Sequence, residues 1–325
     1  ALTKHGNRMT GVQAQDTETG EVFELKSKAV VNATGVFVDS IRRMDEPDAT
    51  AMLSPSQGVH IVIDKKFLPG DSAIMIPKTE DGRVLFAVPW HGKVLLGTTD
   101  TPVDTPAEEP RPFHEEISFI LRKAVQNLTP ATTRSDVLSV FVGLRPLVNA
   151  DAAASTAEIS REHTIRVSES GLFTITGGKW TTYRKMGEDV MEVVSQHSGL
   201  PSHPSVTKHL KIHGWREQAT DKSIEPYGSD AGTVQQLAGS DNRLHGRLPY
   251  TEAEVRWAVR YEMARTVEDV LARRTRSLIL DAAASIETAP KVAEILAAEL
   301  GLSQNWQQTQ IKAYQSLAEG YLLSV

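Results

Sequence analysis

Apolar and polar positions change their period several times along this chain, and each change predicts a different kind of structure. Between residues 8 and 35 the spacing is that of strands. Val12-Gln13-Ala14-Gln15 alternates, Thr17-Glu18-Thr19-Gly20 is a turn, and Glu21 to Lys26 pairs back, which predicts a hairpin. Lys28-Ala29-Val30-Val31-Asn32 is a short apolar run, the pattern of a buried strand in a layered α/β sheet, and the small residues Ala33, Thr34 and Gly35 follow it. From residue 46 onward, short apolar stretches (Val59 to Asp64, Ala73 to Pro77, Val84 to Val88, Val94 to Gly97) alternate with Gly and Pro and predict a mainly antiparallel sheet. One helix interrupts it near Glu115 to Asn127, with Ile117, Ile120, Leu121, Ala124, Val125 and Leu128 on one face.

Farther on, Leu172, Phe173, Ile175 and Thr176 favour a strand that runs into Gly177-Gly178 and then a helix carrying Met186, Val190 and Val193/Val194. Pro, Gly, Ser and His dominate residues 201–247, which read as a linker. Thr251-x-x-Glu254 is a capping box ahead of a helix with Val255, Val259, Met263, Val267 and Val270/Leu271 on one stripe. Pro290 suits the first turn of a second helix that stops at Gly301, and Ser303 starts a third that packs Trp306, Tyr314, Leu317 and Tyr321. The expected fold class is therefore α+β with an α/β portion. The pattern divides the chain into strand and helix segments at 1–45 and 158–200, an antiparallel sheet at 46–157, a linker at 201–247 and an all-α stretch at 248–325.

Composition narrows the function classes. The 325 residues carry a net charge of -6, which argues against a nucleic-acid surface, although a local basic patch still suits phosphate. With no cysteine there is neither a disulfide framework nor a thiolate metal site, and no HExxH accompanies His209 and His213, so a metal site is not expected. No apolar run approaches the roughly eighteen residues of a membrane-spanning helix.

Chemistry concentrates at a few positions. Gly177 and Gly178 admit close backbone approach or positive φ, and the following helix start offers free N–H groups and a positive dipole end to an anion. An ordinary strand-to-helix turn would use the same residues. The stretch is no Walker loop, because Phe173 stands where its first glycine is required and Trp180 follows Lys179. Arg145, fixed between Leu144 and Pro146, presents a permanently charged planar fork suited to a phosphate monoester, or else is a surface arginine beside a turn. Arg161 is a second cation, with Glu158 and Glu162 at hand to pair with it. His60 opens an apolar strand, where a histidine is either structural or a base titrating near working pH. Thr98, Thr99 and Asp100 end a strand and could face a cleft, but Asp100 before Thr101-Pro102 is equally a turn former.

Taken in order, Asn32-Ala33-Thr34-Gly35, Gln57-Gly58-Val59-His60, Gly97-Thr98-Thr99-Asp100, Gly143-Leu144-Arg145-Pro146-Leu147, Ile159-Ser160-Arg161-Glu162-His163 and the Gly-Gly-Lys turn resemble the FAD-dependent, quinone-linked glycerol-3-phosphate dehydrogenases of the D-amino-acid-oxidase-like flavoproteins. The resemblance runs from the first residues to about Leu302, and Arg260 to Arg276 is similar to that family's C-terminal helical domain. It implies an FAD-binding domain, of which 1–45 and 158–200 would be a remnant, and a substrate domain in the antiparallel sheet. It further implies oxidation of sn-glycerol 3-phosphate to dihydroxyacetone phosphate, quinone in the membrane as final acceptor, and a cytoplasmic protein peripheral to the inner face of the cell membrane. Nucleic acid is not an implied partner, and a homodimer is compatible with the pattern.

The same resemblance implies residue roles. His60 would accept the C2 hydroxyl proton and Arg145 would share in catalysis. Arg145, Arg161 and Lys179 would hold substrate. Ala33, Thr34, Gly35, Gly177, Gly178, Lys179, Trp180, Thr181 and Thr182 would bound the flavin. One departure stands out: no two glycines are separated by a single residue, so the G-x-G-x-x-G fingerprint for the ADP half of FAD is absent. The expectation is thus a C-terminal part of a longer flavoprotein, inactive alone. Two other readings stay open, an FAD-dependent amino-acid or hydroxy-acid oxidase and a catalytically silent fragment that acts only in association.

Overall fold

The computed structural model describes residues 1–76, 84–148, 162–217 and 224–323. Along the chain these form β1 (Leu2–His5), β2 (Arg8–Gln15), β3 (Val22–Lys26), β4 (Val30–Asn32), α1 (Val38–Asp45), β5 (Ser56–Asp64), β6 (Ile74–Ile76), β7 (Leu85–Trp90), β8 (Lys93–Gly97) and β9 (Thr101–Pro102). There follow α2 (His114–Asn127), β10 (Val137–Arg145), β11 (His163–Val167), β12 (Leu172–Gly177), α3 (Tyr183–Ser198), α4 (Ala231–Gln236), α5 (Glu252–Tyr261), α6 (Ser277–Leu280), α7 (Ala282–Leu300) and α8 (Gln304–Ala318). The architecture is mixed α and β with a helical C-terminal region, as the sequence predicts.

The chain groups into two compact units. The first comprises Ala1–Gly58, Asp100–Pro110 and Gly143–Leu210. It holds the antiparallel β1-β2-β3 sheet, including the predicted hairpin, and a sheet ordered β11-β12-β4 in which β12 runs antiparallel to β11 and parallel to β4. Phe173 and Ile175 of β12 pack on Val190 and Val194 of α3, which explains the helix's apolar spacing; burying each such side chain contributes about 1.5–3 kcal/mol. The apolar run at β4 is not the fully buried strand its composition suggests. It lies at a sheet edge, with Val31 exposed and Asn32 buried.

The second unit comprises Val59–Thr99, Arg111–Val142 and Lys211–Val325. Its sheet is ordered β10-β5-β8-β7-β6, and β5, β8, β7 and β6 pair antiparallel. The inward residues Val59, Ile61, Ile63, Leu85, Ala87, Val94 and Leu96 form one core with Ile117, Ile120 and Ala124 of α2. A second core joins Val255 and Ala258 of α5 with Val267, Val270, Leu271, Val292, Ala293, Leu296 and Tyr314.

Two helical expectations are corrected. The stripe from Val255 to Leu271 is not one helix, because α5 stops at Tyr261 and Met263 takes a φ of +56° and is 83% exposed. The chain turns there, Ala264 N–H donates to Ala258 O at 2.9 Å, and the same core is reached by Val267, just ahead of a π-helical turn at Asp269–Arg274, and by Val270 and Leu271 within it. Pro290 lies inside α7 rather than in its first turn. Asp281 starts that helix earlier by accepting from Ala284 N–H at 2.9 Å, and the buried face from Ala282 to Leu296 outweighs the roughly 3 kcal/mol that an interior proline costs. Within 201–247, read as a linker, α4 forms and buries Ala231 and Val234.

Candidate functional site

The parallel pair β4 and β12 fixes the site's geometry. Val30 lies opposite Leu172, Val31 opposite Phe173 and Asn32 opposite Thr174, so both strands leave the sheet at the same end. Each then makes one short 3-10 turn (Gly35–Phe37 and Trp180–Thr182) and enters a helix, α1 or α3. Ligands of open α/β sheets bind outside such carboxyl ends. Asn32, to which the sequence assigned no role of its own, locks one of these exits. Its side-chain amide donates to Val38 O at 2.9 Å and to Thr174 Oγ1 at 3.4 Å, while its Oδ1 accepts from Thr34 Oγ1 at 2.8 Å. Thr176 Oγ1 donates to Gly35 O at 3.5 Å, tying the Ala33-Thr34-Gly35 segment to β12.

At the other exit, Gly177 and Gly178 have φ values of +78° and +70°. Side chains there would be strained, and they would also collide: a Cβ on Gly177 would stand 2.7 Å from Glu162 O and from Val148 Cγ2, and one on Gly178 2.6 Å from Met186 Sδ. Gly177 is therefore required by the turn's own packing, against the main-chain oxygen of Glu162, and Gly178 by its left-handed φ. Thr182 closes the turn, its Oγ1 accepting from Lys179 N–H at 3.1 Å and donating to Lys179 O at 2.9 Å. Trp180 and Tyr183 stack at 5.6 Å, and Trp180 is 86% exposed. Behind the turn, His163 Nε2 lies 3.0 Å from Asp189 Oδ2, and Lys185 Nζ 2.5 Å from Asp189 Oδ1. Those bonds, that of Lys185 first, hold the Asp189 carboxyl below the usual carboxylate range.

Arg145 ends β10, where Pro146 stops the strand. Its Nη1 pairs with Asp100 Oδ1 at 3.2 Å, an acid the sequence offers either to the cleft or to a turn, and nothing in a separation of 45 residues signals the pairing. Leu144, Arg145, Pro146, Leu147, Gly177, Gly178, Lys179 and Trp180 line one cleft. The structure thus brings Arg145, Gly177, Gly178, Lys179 and Trp180 together. Ala33, Thr34 and Gly35 stand at the neighbouring strand end, Thr181 and Thr182 continue the turn, and Arg161 lies outside the described residues.

His60 belongs to the second unit. It faces Gly97 across β5 and β8, and its ring stacks on Phe141 at 5.2 Å and 11°. The Gly97 position must be bare, since a Cβ there would lie 2.2 Å from His60 Cδ2. Thr99 is structural, accepting from Val59 N–H at 3.0 Å and donating to Glu116 Oε1 at 2.9 Å. Among the described residues, no three His, Cys, Asp or Glu side chains converge as metal ligands, and no helix is long and apolar enough to cross a membrane.

Residues 1–184 match the FAD-dependent oxidoreductase family, and residues 173–308 match the C-terminal domain of alpha-glycerophosphate oxidase. The mitochondrial glycerol-3-phosphate dehydrogenase of Macaca fascicularis is 38% identical over 332 residues, covering 94% of this chain and 45% of the relative. The probable mitochondrial glycerol-3-phosphate dehydrogenase of Dictyostelium discoideum is 38% identical over 338 residues, covering 95% and 53%. The chain therefore spans about half the length of the curated relatives it matches. The crystal structure of glycerol-3-phosphate dehydrogenase from Bacillus halodurans, complexed with FAD, superposes with a TM-score of 0.82 at 26% identity, over 100% of this chain and 69% of the other. On these matches and the strand-end geometry, the chain belongs to the FAD-dependent oxidoreductase family.

Proposed function

We propose that this chain is part of a flavoprotein dehydrogenase that oxidises sn-glycerol 3-phosphate to dihydroxyacetone phosphate, with FAD as hydride acceptor and membrane quinone as final acceptor. The observation that carries the reading is the cleft in which the cations of Arg145 and Lys179 meet the Gly177-Gly178 turn. Two cations suit a phosphate monoester better than the single carboxylate of an amino-acid or hydroxy-acid substrate. The relatives' names as glycerol-3-phosphate dehydrogenases point the same way.

The residues present fit one end of FAD. Residues 177–183 offer an exposed helix start, a lysine and the exposed stacked rings of Trp180 and Tyr183, partners suited to a flat heterocycle with an anionic edge. The fingerprint for the ADP end is not among these 325 residues. Bound FAD would supply a two-electron acceptor for the hydride leaving C2 of the substrate. Arg145 and Lys179 bind and orient the phosphate, with Arg161 as a further cation. His60 takes the C2 hydroxyl proton on its imidazole, whose plane Phe141 fixes. Electron delivery to quinone places the protein at the inner face of the cell membrane.

The test has two parts. The visible spectrum of the purified chain, taken after excess FAD is added and unbound flavin removed, reports whether the turn holds flavin. In the whole protein, Arg145→Ala should lower kcat/KM for glycerol 3-phosphate roughly ten- to hundredfold, the worth of charge-assisted hydrogen bonds of about 1.5–3 kcal/mol. Unchanged kinetics would remove Arg145 from the site.

A further inference from the structure

The second unit contains a groove that the dehydrogenase reading leaves without a role. It has room for about 610 Å³, within the range of small-molecule sites, and lies beside α5 and the turn that precedes α4. Three aromatic rings form its wall. Trp257 and Tyr261 stack at 4.3 Å and 29°, and Tyr227 meets Trp257 edge-on at 6.3 Å and 83°.

The polar tips of two rings are held by carboxylates. Tyr227 O–H donates to Glu254 Oε1 at 3.1 Å, and Trp257 Nε1–H donates to Glu262 Oε1 at 3.1 Å. Such anchoring fixes two of the three rings before any ligand arrives, which lowers the ordering cost of binding. Tyr261, by contrast, is 60% exposed, so its ring is presented to solvent.

Charge then selects the guest. Asp230 and Glu262 both face the groove, and its described lining contains no Lys or Arg. His213 is the one basic-type side chain there, with its Nε2 2.6 Å from Asp230 Oδ2. Arg274 reaches Glu262 through the carbonyl oxygen, at 3.2 Å from its Nε, and not through the carboxylate. Aromatic faces flanked by carboxylates attract organic cations, because the ring quadrupole and the negative charges act in the same direction. A metal ion is a poor alternative, since no set of three converging ligands exists among the described residues.

We propose that this groove binds a small organic cation bearing an ammonium or guanidinium group, which lies on the Tyr261 ring with its charge toward Asp230 and Glu262. The proposal is independent of the dehydrogenase reading and of flavin content. It is tested by titrating the purified chain with choline and with agmatine, followed by tryptophan fluorescence and by calorimetry. The control is 3,3-dimethylbutan-1-ol, which has the shape of choline without its charge. At least one cation should bind saturably, and the alcohol should bind at least about tenfold more weakly. Tyr261→Ala and Glu262→Gln should each weaken cation binding roughly three- to thirtyfold while the folded spectrum persists, and Tyr261→Phe should restore it. No saturable binding of either cation, equal binding of the alcohol, or undiminished affinity in both Tyr261→Ala and Glu262→Gln would overturn the proposal.

Discussion

The cleft beside Gly177 and the groove beside Trp257 are built from opposite materials. In the cleft two cations, Arg145 and Lys179, stand against bare backbone at the end of a parallel strand pair. In the groove two carboxylates, Asp230 and Glu262, stand against aromatic rings on and around a helix. The difference lies in what each surface depends on. The cleft needs a backbone path that only glycine follows without strain, so main-chain changes should break it. The groove also turns on glycines at positive φ, Gly214 at +83° and Gly228 at +54°, but the surface it offers is made of ring faces and carboxylates, so side-chain changes at those groups should disable it without straining the main chain.

The largest effect is expected where the backbone has least choice. Gly177→Ala puts a carbon 2.7 Å from Glu162 O at a φ of +78°, combining strain with overpacking. Chemical denaturation should show a loss of about 2–4 kcal/mol, and flavin retention should disappear with it. Tyr261→Ala, at an exposed ring, should stay within about 1 kcal/mol of the parent. Equal losses at the two positions would end the distinction between a backbone-built and a side-chain-built surface.

Asn32→Ala comes next. Asn32 is buried, and its amide bonds Val38 O and Thr174 Oγ1 while its Oδ1 takes Thr34 Oγ1. Truncation leaves those groups without their partner, and urea titration should show about 1–3 kcal/mol of destabilisation. Because Asn32 holds the β4 exit, flavin retention should fall in parallel, whereas choline affinity should not move. An effect confined to stability would detach Ala33, Thr34 and Gly35 from the flavin end of the cleft.

The same contrast accounts for what the sequence made legible. The β2–β3 hairpin, α2 and the cap of α8 followed from local period and turn chemistry, because neighbouring residues decide them. The Gly177–Thr182 turn was legible for that reason as well, all its parts being contiguous. Asp100 as the partner of Arg145 was not, since only the fold brings the two together. Neither was the groove, for Trp257 and Tyr261 are four positions apart and look like an ordinary apolar helix face until Tyr261 proves exposed. Met263 misled in the other direction: helical spacing placed it in a stripe, while the main chain had already left the helix. Pro290 was read by its local preference, which the buried face of α7 overrides.

The smallest expected effect is a difference of sign in acid. In the first unit Asp45 is buried, which opposes ionisation, but hydrogen bonds from Lys4, Ser168 and Ser170 and the Lys4 charge together hold its carboxyl below the usual 3.8. Its contribution to stability is present above 3.8 and is lost as pH falls through the lower folded value. In the second unit burial pushes the Glu254 carboxyl above 4.5, and Glu262 adds to the rise, against the opposing hydrogen bonds from Thr251 and Tyr227. Its contribution is fully present below 4.5 and is lost as pH rises through the higher folded value. Lowering the pH from 7 to 4.5 should therefore increase protection around α5 while leaving the Asp45 anchor unchanged, and a further drop below 3.8 should loosen the anchor alone. Hydrogen exchange of peptides spanning 252–261 and 38–45, corrected for its intrinsic pH dependence, measures both. Glu254→Gln should flatten the first response and Asp45→Asn the second. If the two regions respond with the same sign, the acid behaviour is set by net charge rather than by these two carboxyls.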